Sequence, residues 1–306
     1  MDYCDICGKV NTAGTGYHGK CLKNLFEVNY LPKISFALKD ISIKAQEMAG
    51  KLSISGVQAK LSLKLNKPKK ELEIIAEGGE YILKPQIQTF PDIPQNENLC
   101  MNIAAGLGIE VPPHSLINLK DNSPAYIVKR FDRIKGEKSH QEDFCQILGE
   151  KDRYKGSLEK IGHKLKEISE FPGLDVQLFF ERVLFFFIIG NGDAHLKNFS
   201  IIYNKQGHIR LSPAYDIVSS KLVIPGEEDL ALTLNGKKNK ITGQDFEQLA
   251  RILKIQTKIS YKKILNSIDL INKFIKESPL NNNDKIKLLD IVKQRAGRLN
   301  LSSGTR

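Results

Sequence analysis

The stretch Val183-Leu184-Phe185-Phe186-Phe187-Ile188-Ile189-Gly190-Asn191-Gly192-Asp193-Ala194-His195-Leu196-Lys197-Asn198 passes directly from wholly apolar to largely polar chain. The apolar part, with Glu181, Arg182 and Asn191 close by, is far shorter than the ~20 residues that span a bilayer. It reads as the end of a buried helix over 176–189, stopped by Gly190-Asn191-Gly192. A hairpin is predicted next, with strands at 198–203 and 208–211 about Asn204-Lys205-Gln206-Gly207. The polar residues 191–198 therefore sit on a loop between rigid elements, where active sites concentrate.

The hairpin turn lies midway between Asn198 and Asp216 of Pro213-Ala214-Tyr215-Asp216, so pairing its strands returns both side chains to one end. An Asn and an Asp side by side offer oxygen ligands to Mg²⁺, a hard cation that completes its shell with water and phosphate oxygens. Asp193 is then placed to accept the proton of an attacking hydroxyl, and Lys197 to neutralise charge on a moving phosphoryl group. Taken singly, Asp193 and Asn198 read as turn-capping residues; it is their order that points to phosphoryl transfer.

Upstream, 51–65 alternates through Val57, Ala59, Leu61, Leu63 and Leu65, with a bend at Gly56 and a turn at Pro68-Lys69-Lys70. Further strands are predicted at 81–84, 114–119 and 125–131, and a helix at 96–107. This is a mostly antiparallel sheet carrying one helix. Ser53-Ile54-Ser55-Gly56 is a weak phosphate-loop signal that an ordinary bulge would also explain. Lys84, before Pro85, is by itself a surface lysine, and Glu97 suits a helix start. If strand and helix pack together, the two can pair and aim the ammonium at phosphates. Ser139-His140-Gln141-Glu142 has the capping-box pattern of a helix start. Beyond Gly243, helices are predicted over 244–254, 258–276 and 283–298.

Length and composition agree with this layout. At ~150 residues per domain, 306 residues hold two compact units; 41% hydrophobic and 26% charged residues exclude disordered and fibrous classes. The +11 charge suits phosphate, nucleic acid or an acidic partner without choosing among them. Met-Asp-Tyr-Cys lacks the basic and apolar regions of a secretory signal, so a cytoplasmic protein is expected.

Taken together, the segments 53–61, 81–85, 96–112, 128–133 (with Arg130-Phe131-Asp132-Arg133), 140–149, 193–200 and 212–218 resemble, in order, the HipA-like serine/threonine kinases, toxin components of bacterial toxin–antitoxin systems. The resemblance implies an α+β, bilobed, protein-kinase-like fold binding ATP and Mg²⁺. It implies a Cys-rich segment and linker over 1–50, a sheet-rich lobe over 51–131 and a mainly helical lobe over 132–306. Asp193 becomes the catalytic base, with Lys197 beside it; Asn198 and Asp216 become the metal ligands and Lys84 the phosphate-binding lysine, partnered by Glu97. Val128, Lys129, Arg130 and Phe131 become the adenine-facing hinge, Asp132 a ribose contact, and His195 a further nucleotide contact. Ser55 and Gly56 belong to the Gly-rich loop over ATP, and Ser53 and Ser55 are its autophosphorylation sites. A phosphoserine there, carrying about −1.5 to −2 charge, should repel ATP. Two departures from ordinary protein kinases stand out: His195 follows the catalytic Asp, and Tyr215-Asp216 occupies the place of a DFG. With only about fifty residues before the core, the chain is similar to the short HipT form. That form has a small HipS-like protein and a HipB-like DNA-binding antitoxin as partners. The implied substrate is an aminoacyl-tRNA synthetase, and the outcome translation inhibition.

Cys4-Asp5-Ile6-Cys7 and His18-Gly19-Lys20-Cys21 offer four soft ligands in two close pairs, a pattern open both to zinc and to ordinary turns with reduced thiols. Cys100 and Cys145 read as core residues. The competing function is a zinc-knuckle nucleic-acid-binding protein using Lys67-Lys69-Lys70 and Lys237-Lys238-Lys240. Those runs lack aromatics and fall in predicted turns, so solvated faces are the better reading.

Overall fold

The computed structural model describes residues 3–11, 16–41, 59–134 and 137–299. The chain divides into two compact units. Unit one comprises Met1–Asn102, Pro112–Lys138 and Glu277–Leu280, and unit two Ile103–Val111, Ser139–Lys276 and Asn281–Arg306. The Gly-rich loop residues Ser53, Ser55 and Gly56 lie outside the described residues.

Unit one is built on an antiparallel sheet of β1 (Leu61–Asn66), β2 (Glu71–Ile74), β3 (Tyr81–Pro85), β4 (His114–Asn118) and β5 (Pro124–Lys129), in the order β2-β1-β3-β5-β4. Period-two alternation turns Leu61, Leu63 and Leu65 of β1 inward, as the sequence requires. They meet Leu72, Tyr81, Leu83 and Ile127, and the core is completed by Leu25 and Phe26 of α1 (Gly19–Phe26). The register sets Lys84 opposite Tyr126 in the centre of the sheet. Helix α2 (Ile93–Gly106) follows β3, and the division between units falls within it, after Asn102. A two-residue ribbon, β6 (Arg133–Ile134) and β7 (Glu137–Lys138), completes the unit's strands.

Unit two begins its strands with β8 (Gln141–Asp143), which pairs with β9 (Ser200–Tyr203), itself paired with β10 (Ile209–Leu211). The helices are α3 (Phe144–Ile147), α4 (Leu158–Ile168), α5 (Pro172–Ile189), α6 (Ser220–Val223), α7 (Gly243–Leu253), α8 (Thr257–Asn266), α9 (Ile268–Glu277, its last residue in unit one) and α10 (Asn282–Leu299). Helix α5 is apolar almost all round, as a helix must be to lie in the core. Phe179 and Phe186 pack on Phe199 with ring centroids 5.4 and 5.7 Å away, and Phe187 on Phe246 at 5.4 Å.

Two sequence expectations are corrected. Ser139 does not cap a helix; Gln141 and Glu142 pair with Ile202 and Ile201 as strand. The capping box lies four residues later, where the Gln146 amide donates to Asp143 Oδ1 at 2.9 Å and the Asp143 amide to Gln146 Oε1 at 3.0 Å. Both quartets carry an N-cap residue with Glu or Gln three places on, and strand pairing decides between them. The helix predicted over 258–276 is two helices, broken at Ser267, whose amide turns back to Ile264 O at 3.0 Å.

Candidate active site

In unit two, burial of α5 fixes where the polar loop begins. Gly190 ends the helix at φ +74°, a left-handed conformation that suits glycine, and the Asn191 amide closes on Phe186 O at 2.8 Å. Gly192 has no room for a side chain: a Cβ would lie 2.5 Å from Glu227 Oε2 and 2.6 Å from Glu228 O. The Asp193 amide donates to Ser220 Oγ at 3.2 Å, and its carboxylate accepts from Tyr154 Oη at 2.8 Å. Tyr154 also meets the His195 ring edge-on at 5.2 Å. Burial holds the His195 imidazole below its usual range against the opposing charge of Asp193.

A 3₁₀ turn over Leu196–Asn198 then places Asn198. Its Oδ1 accepts from the His195 amide at 3.0 Å, so backbone N–H fixes the orientation of the side-chain amide, and Nδ2 lies 3.3 Å from Asp216 Oδ2. Asp216 has φ +58°, a conformation costly for most side chains and tolerated best by Asn and Asp. Tyr215, beside it, is anchored through its hydroxyl to Lys197 O at 2.8 Å and to Ser200 Oγ. The hairpin thus returns Asp216 to Asn198 as expected. What faces Asp216 is the amide nitrogen of Asn198, which does not bind a cation, so a magnesium ion here would be held by the Asp216 carboxylate and the remaining lone pair of Asn198 Oδ1. Lys197 is exposed on the same turn.

Unit one holds the other candidate residues. Lys84 Nζ lies 2.6 Å from Glu97 Oε1, the side chains only 6% and 3% exposed, and 5.6 Å from the Tyr126 ring centroid. Val128 is buried at the end of β5; Lys129 is half-buried and pairs with Glu27 at 2.7 Å. Arg130 is bidentate on Asp132, at 2.9 and 2.7 Å, and Arg133 adds a contact at 2.9 Å. Burial pushes the Asp132 carboxyl up, but the hydrogen bonds and charge of Arg130, with the charge of Arg133, hold it below the usual range. Both Asp132 oxygens are thus engaged by arginine. Phe131 is half-buried in the turn between them.

Sequence reasoning missed three residues that frame Asp193: Tyr154, Ser220 and Glu227. Ser220 Oγ accepts from the Asp193 amide and donates to Glu227 Oε2 at 2.7 Å, linking the loop to a second carboxyl. Burial, helped by the negative charge of Asp193, pushes Glu227 up to about 7, against the hydrogen bond from Ser220. No local pattern marks these residues, because they reach the loop from distant positions in the chain.

Among the described residues, a second cluster of chemically capable side chains is Cys4, Cys7, His18 and Cys21 in unit one. Within the lysine runs of the nucleic-acid reading, Lys69 pairs with Glu73 at 3.0 Å, Lys237 with Asp245 at 2.6 Å and Lys238 with Glu228 at 3.9 Å. No helix among the described residues is long and apolar enough to cross a membrane.

Comparison with known proteins gives concordant results. Residues 52–277 match the family model of the HipA-like C-terminal domain. A Haemophilus influenzae protein named "Putative kinase" is 29% identical over 303 residues, covering 88% of each chain. The serine/threonine-protein kinase toxin HipA of Shewanella oneidensis is 30% identical over 211 residues; the match takes in 60% of this chain and 47% of the toxin. The solved complex of HipA, HipB and operator DNA from Shewanella oneidensis contains a chain similar in fold. Its TM-score is 0.68 at 22% identity, with 87% of this chain and 71% of that one covered.

Proposed function

The chain belongs to the HipA-like C-terminal domain family, and from that premise we propose that it is an ATP-dependent serine/threonine protein kinase, the toxin of a bacterial toxin–antitoxin system. The observation that carries the reading is the approach of Asn198 to Asp216 within 3.3 Å, five residues beyond Asp193 on one loop. Bound ATP supplies the γ-phosphoryl group, and bound Mg²⁺ the positive charge that offsets its oxygens. Asp193 accepts the proton of the acceptor serine or threonine as its oxygen forms the new bond to phosphorus and ADP leaves with the bridging oxygen. Tyr154, donating to Asp193, and Ser220, accepting from its backbone, hold that carboxylate in one orientation. Lys84 serves the α- and β-phosphates, with Glu97 aiming its ammonium. Val128, Lys129, Arg130 and Phe131 face the adenine and His195 makes a further nucleotide contact. Arg130 and Arg133 hold the Asp132 carboxylate in place, and since a carboxylate oxygen accepts more than one hydrogen bond, a ribose hydroxyl donates to it beside them. Lys197, exposed beside the metal pair, is free to neutralise charge during transfer.

The finer reading follows the same family. The substrate is an aminoacyl-tRNA synthetase, with translation arrest as the outcome, and Ser53 and Ser55 are autophosphorylated to weaken ATP binding. A HipB-like antitoxin and a HipS-like small protein are the partners; the Shewanella complex, in which HipA, HipB and operator DNA occur together, supports the first. Phosphoproteomics of cells briefly expressing this chain or its Asp193→Asn variant tests the proposal. A synthetase seryl or threonyl phosphopeptide unique to the parent chain is expected; identical phosphopeptides from the two would overturn the kinase assignment.

A further inference from the structure

Phosphoryl transfer leaves Cys4, Cys7, His18 and Cys21 without a role. Their ligand atoms all lie within 4.8 Å of one another. His18 Nδ1 is 3.4 Å from Cys7 Sγ and 3.8 Å from Cys21 Sγ, and all three cysteines are free thiols. Bond lengths of about 2.3 Å for Zn–S and about 2.0–2.1 Å for Zn–N place tetrahedral ligands about 3.5–3.8 Å apart; the two histidine–sulfur distances are of that size, and the 4.8 Å limit on the whole set lets an ion draw in the rest. An iron–sulfur cluster would spread its ligands around two or more irons and favours four thiolates.

A separate observation concerns the histidine. His18 Nε2 is 3.1 Å from Val10 O. A carbonyl oxygen only accepts, so Nε2 carries the proton and Nδ1 presents its lone pair to the sulfurs, the second-layer arrangement usual for metal-bound imidazole. The backbone fixes each ligand pair independently. Gly8, at φ +67°, donates its amide to Cys4 O at 2.7 Å, and the Cys4 amide donates to Lys9 O at 2.8 Å, closing a turn around the first pair. His18 is the N-cap of α1 and Cys21 lies in its first turn. The His18 amide also donates to Cys4 Sγ at 3.4 Å, across the gap between the pairs.

Residues beside the cluster's ligands hydrogen-bond to α2, which carries Glu97, and to β4. Asp5 O, between the first two cysteines, accepts from Asn98 Nδ2 at 3.1 Å, and Asn98 follows Glu97 on α2. Asn98 Oδ1 in turn accepts from His114 Nδ1 at 3.0 Å, on β4. Tyr17, next to His18, donates to Leu116 O at 3.2 Å on the same strand.

We propose that Cys4, Cys7, His18 and Cys21 hold a structural zinc ion that fastens the N-terminal segment to α2 and β4 of unit one. With four protein ligands the site is closed, leaving no position for water or substrate. Bound there, the ion would be held by three thiolates and one neutral imidazole, any thiol still protonated giving its proton to solvent. Nothing in this depends on the kinase assignment.

The test uses the full chain purified under reducing conditions. Mass spectrometry of metals should find one zinc per chain, and cobalt substitution should give the intense visible bands and thiolate charge transfer of a tetrahedral sulfur-rich site. The Cys7→Ser/Cys21→Ser variant should lose the metal, whereas His18→Cys, which restores a fourth soft ligand, should keep it. Hydrogen exchange over residues 93–102 should quicken when a chelator strips the zinc. A chain without zinc, a cobalt spectrum of octahedral type, or equal zinc in the double variant would overturn the site. Unchanged exchange on stripping would overturn its fastening role. Loss of ATP binding with zinc retained would instead count against the kinase reading alone.

Discussion

The two halves of the candidate machinery are built in opposite ways. In unit one, Lys84 and Glu97 stand on a central strand and a helix, and their 2.6 Å ion pair is nearly sealed from water. In unit two, Asp193, Asn198 and Asp216 stand on irregular backbone. Asp216 is left-handed, its hydrogen bond from Asn198 is long at 3.3 Å, and Asp193 is held by groups from elsewhere in the chain. The first arrangement is a tight ion pair between regular elements; the second sets the Asn198 amide against the Asp216 carboxylate by one long hydrogen bond, a contact that a divalent cation bound by their oxygens would replace. Substitutions in unit one should therefore be felt in both folding and nucleotide binding, and those in unit two chiefly in chemistry.

The largest contrast is expected at Asp193 and Lys84. Asp193→Asn should lower phosphoryl transfer by about 10²–10⁴-fold, the usual contribution of a general base. The carboxamide oxygen still accepts from Tyr154, so the melting temperature should barely move. Lys84→Met removes the cation from a buried ion pair and should cost about 3–5 kcal/mol in denaturant unfolding. Lys84→Met/Glu97→Leu should recover most of that loss without recovering ATP affinity; if ATP affinity also returned, the pair would be structural only.

Next comes Asp216→Asn, which keeps the side-chain type best suited to φ +58° but removes the charge. The Mg²⁺ concentration for half-maximal activity should rise about tenfold or more, with stability within about 0.5 kcal/mol of the parent. An equal loss of stability and activity would remove the contrast between the units. The smallest effect belongs to Glu227. Its carboxyl is raised to about 7 in the folded chain, so the folded state holds a proton that the unfolded state releases. The stabilising contribution is full below the ordinary Glu range and is lost as pH rises through about 7. Glu227 is only half-buried, so solvent screens the effect, and the change between pH 5 and 8 should be on the order of 1 kcal/mol. Glu227→Gln should flatten that slope in melts followed across the same pH range.

What the sequence revealed follows the same division. Contiguous signals were legible: the apolar run ending at Gly190, the order Asp193 to Asn198, the hairpin, and the alternation of Leu61, Leu63 and Leu65. The Lys84–Glu97 contact was legible as a conditional, requiring only that neighbouring elements pack. Tyr154, Ser220 and Glu227 were not, because tertiary packing brings them to the loop and their own segments carry no motif. The capping box was misplaced since Ser139 and Asp143 offer equivalent local patterns, and only pairing of β8 with β9 separates them. The break at Ser267 was missed because neither Gly nor Pro announces it.

The central claim is that Asp193, Asn198 and Asp216 serve transfer of a phosphoryl group from ATP to a protein hydroxyl. Incubating the purified chain with γ-labelled ATP and Mg²⁺ tests it most directly. Label should enter serine or threonine of the chain itself, and Asp193→Ala should abolish it. Equal labelling of the variant, or none in a parent chain that is folded and freed of phosphate beforehand, would contradict the account.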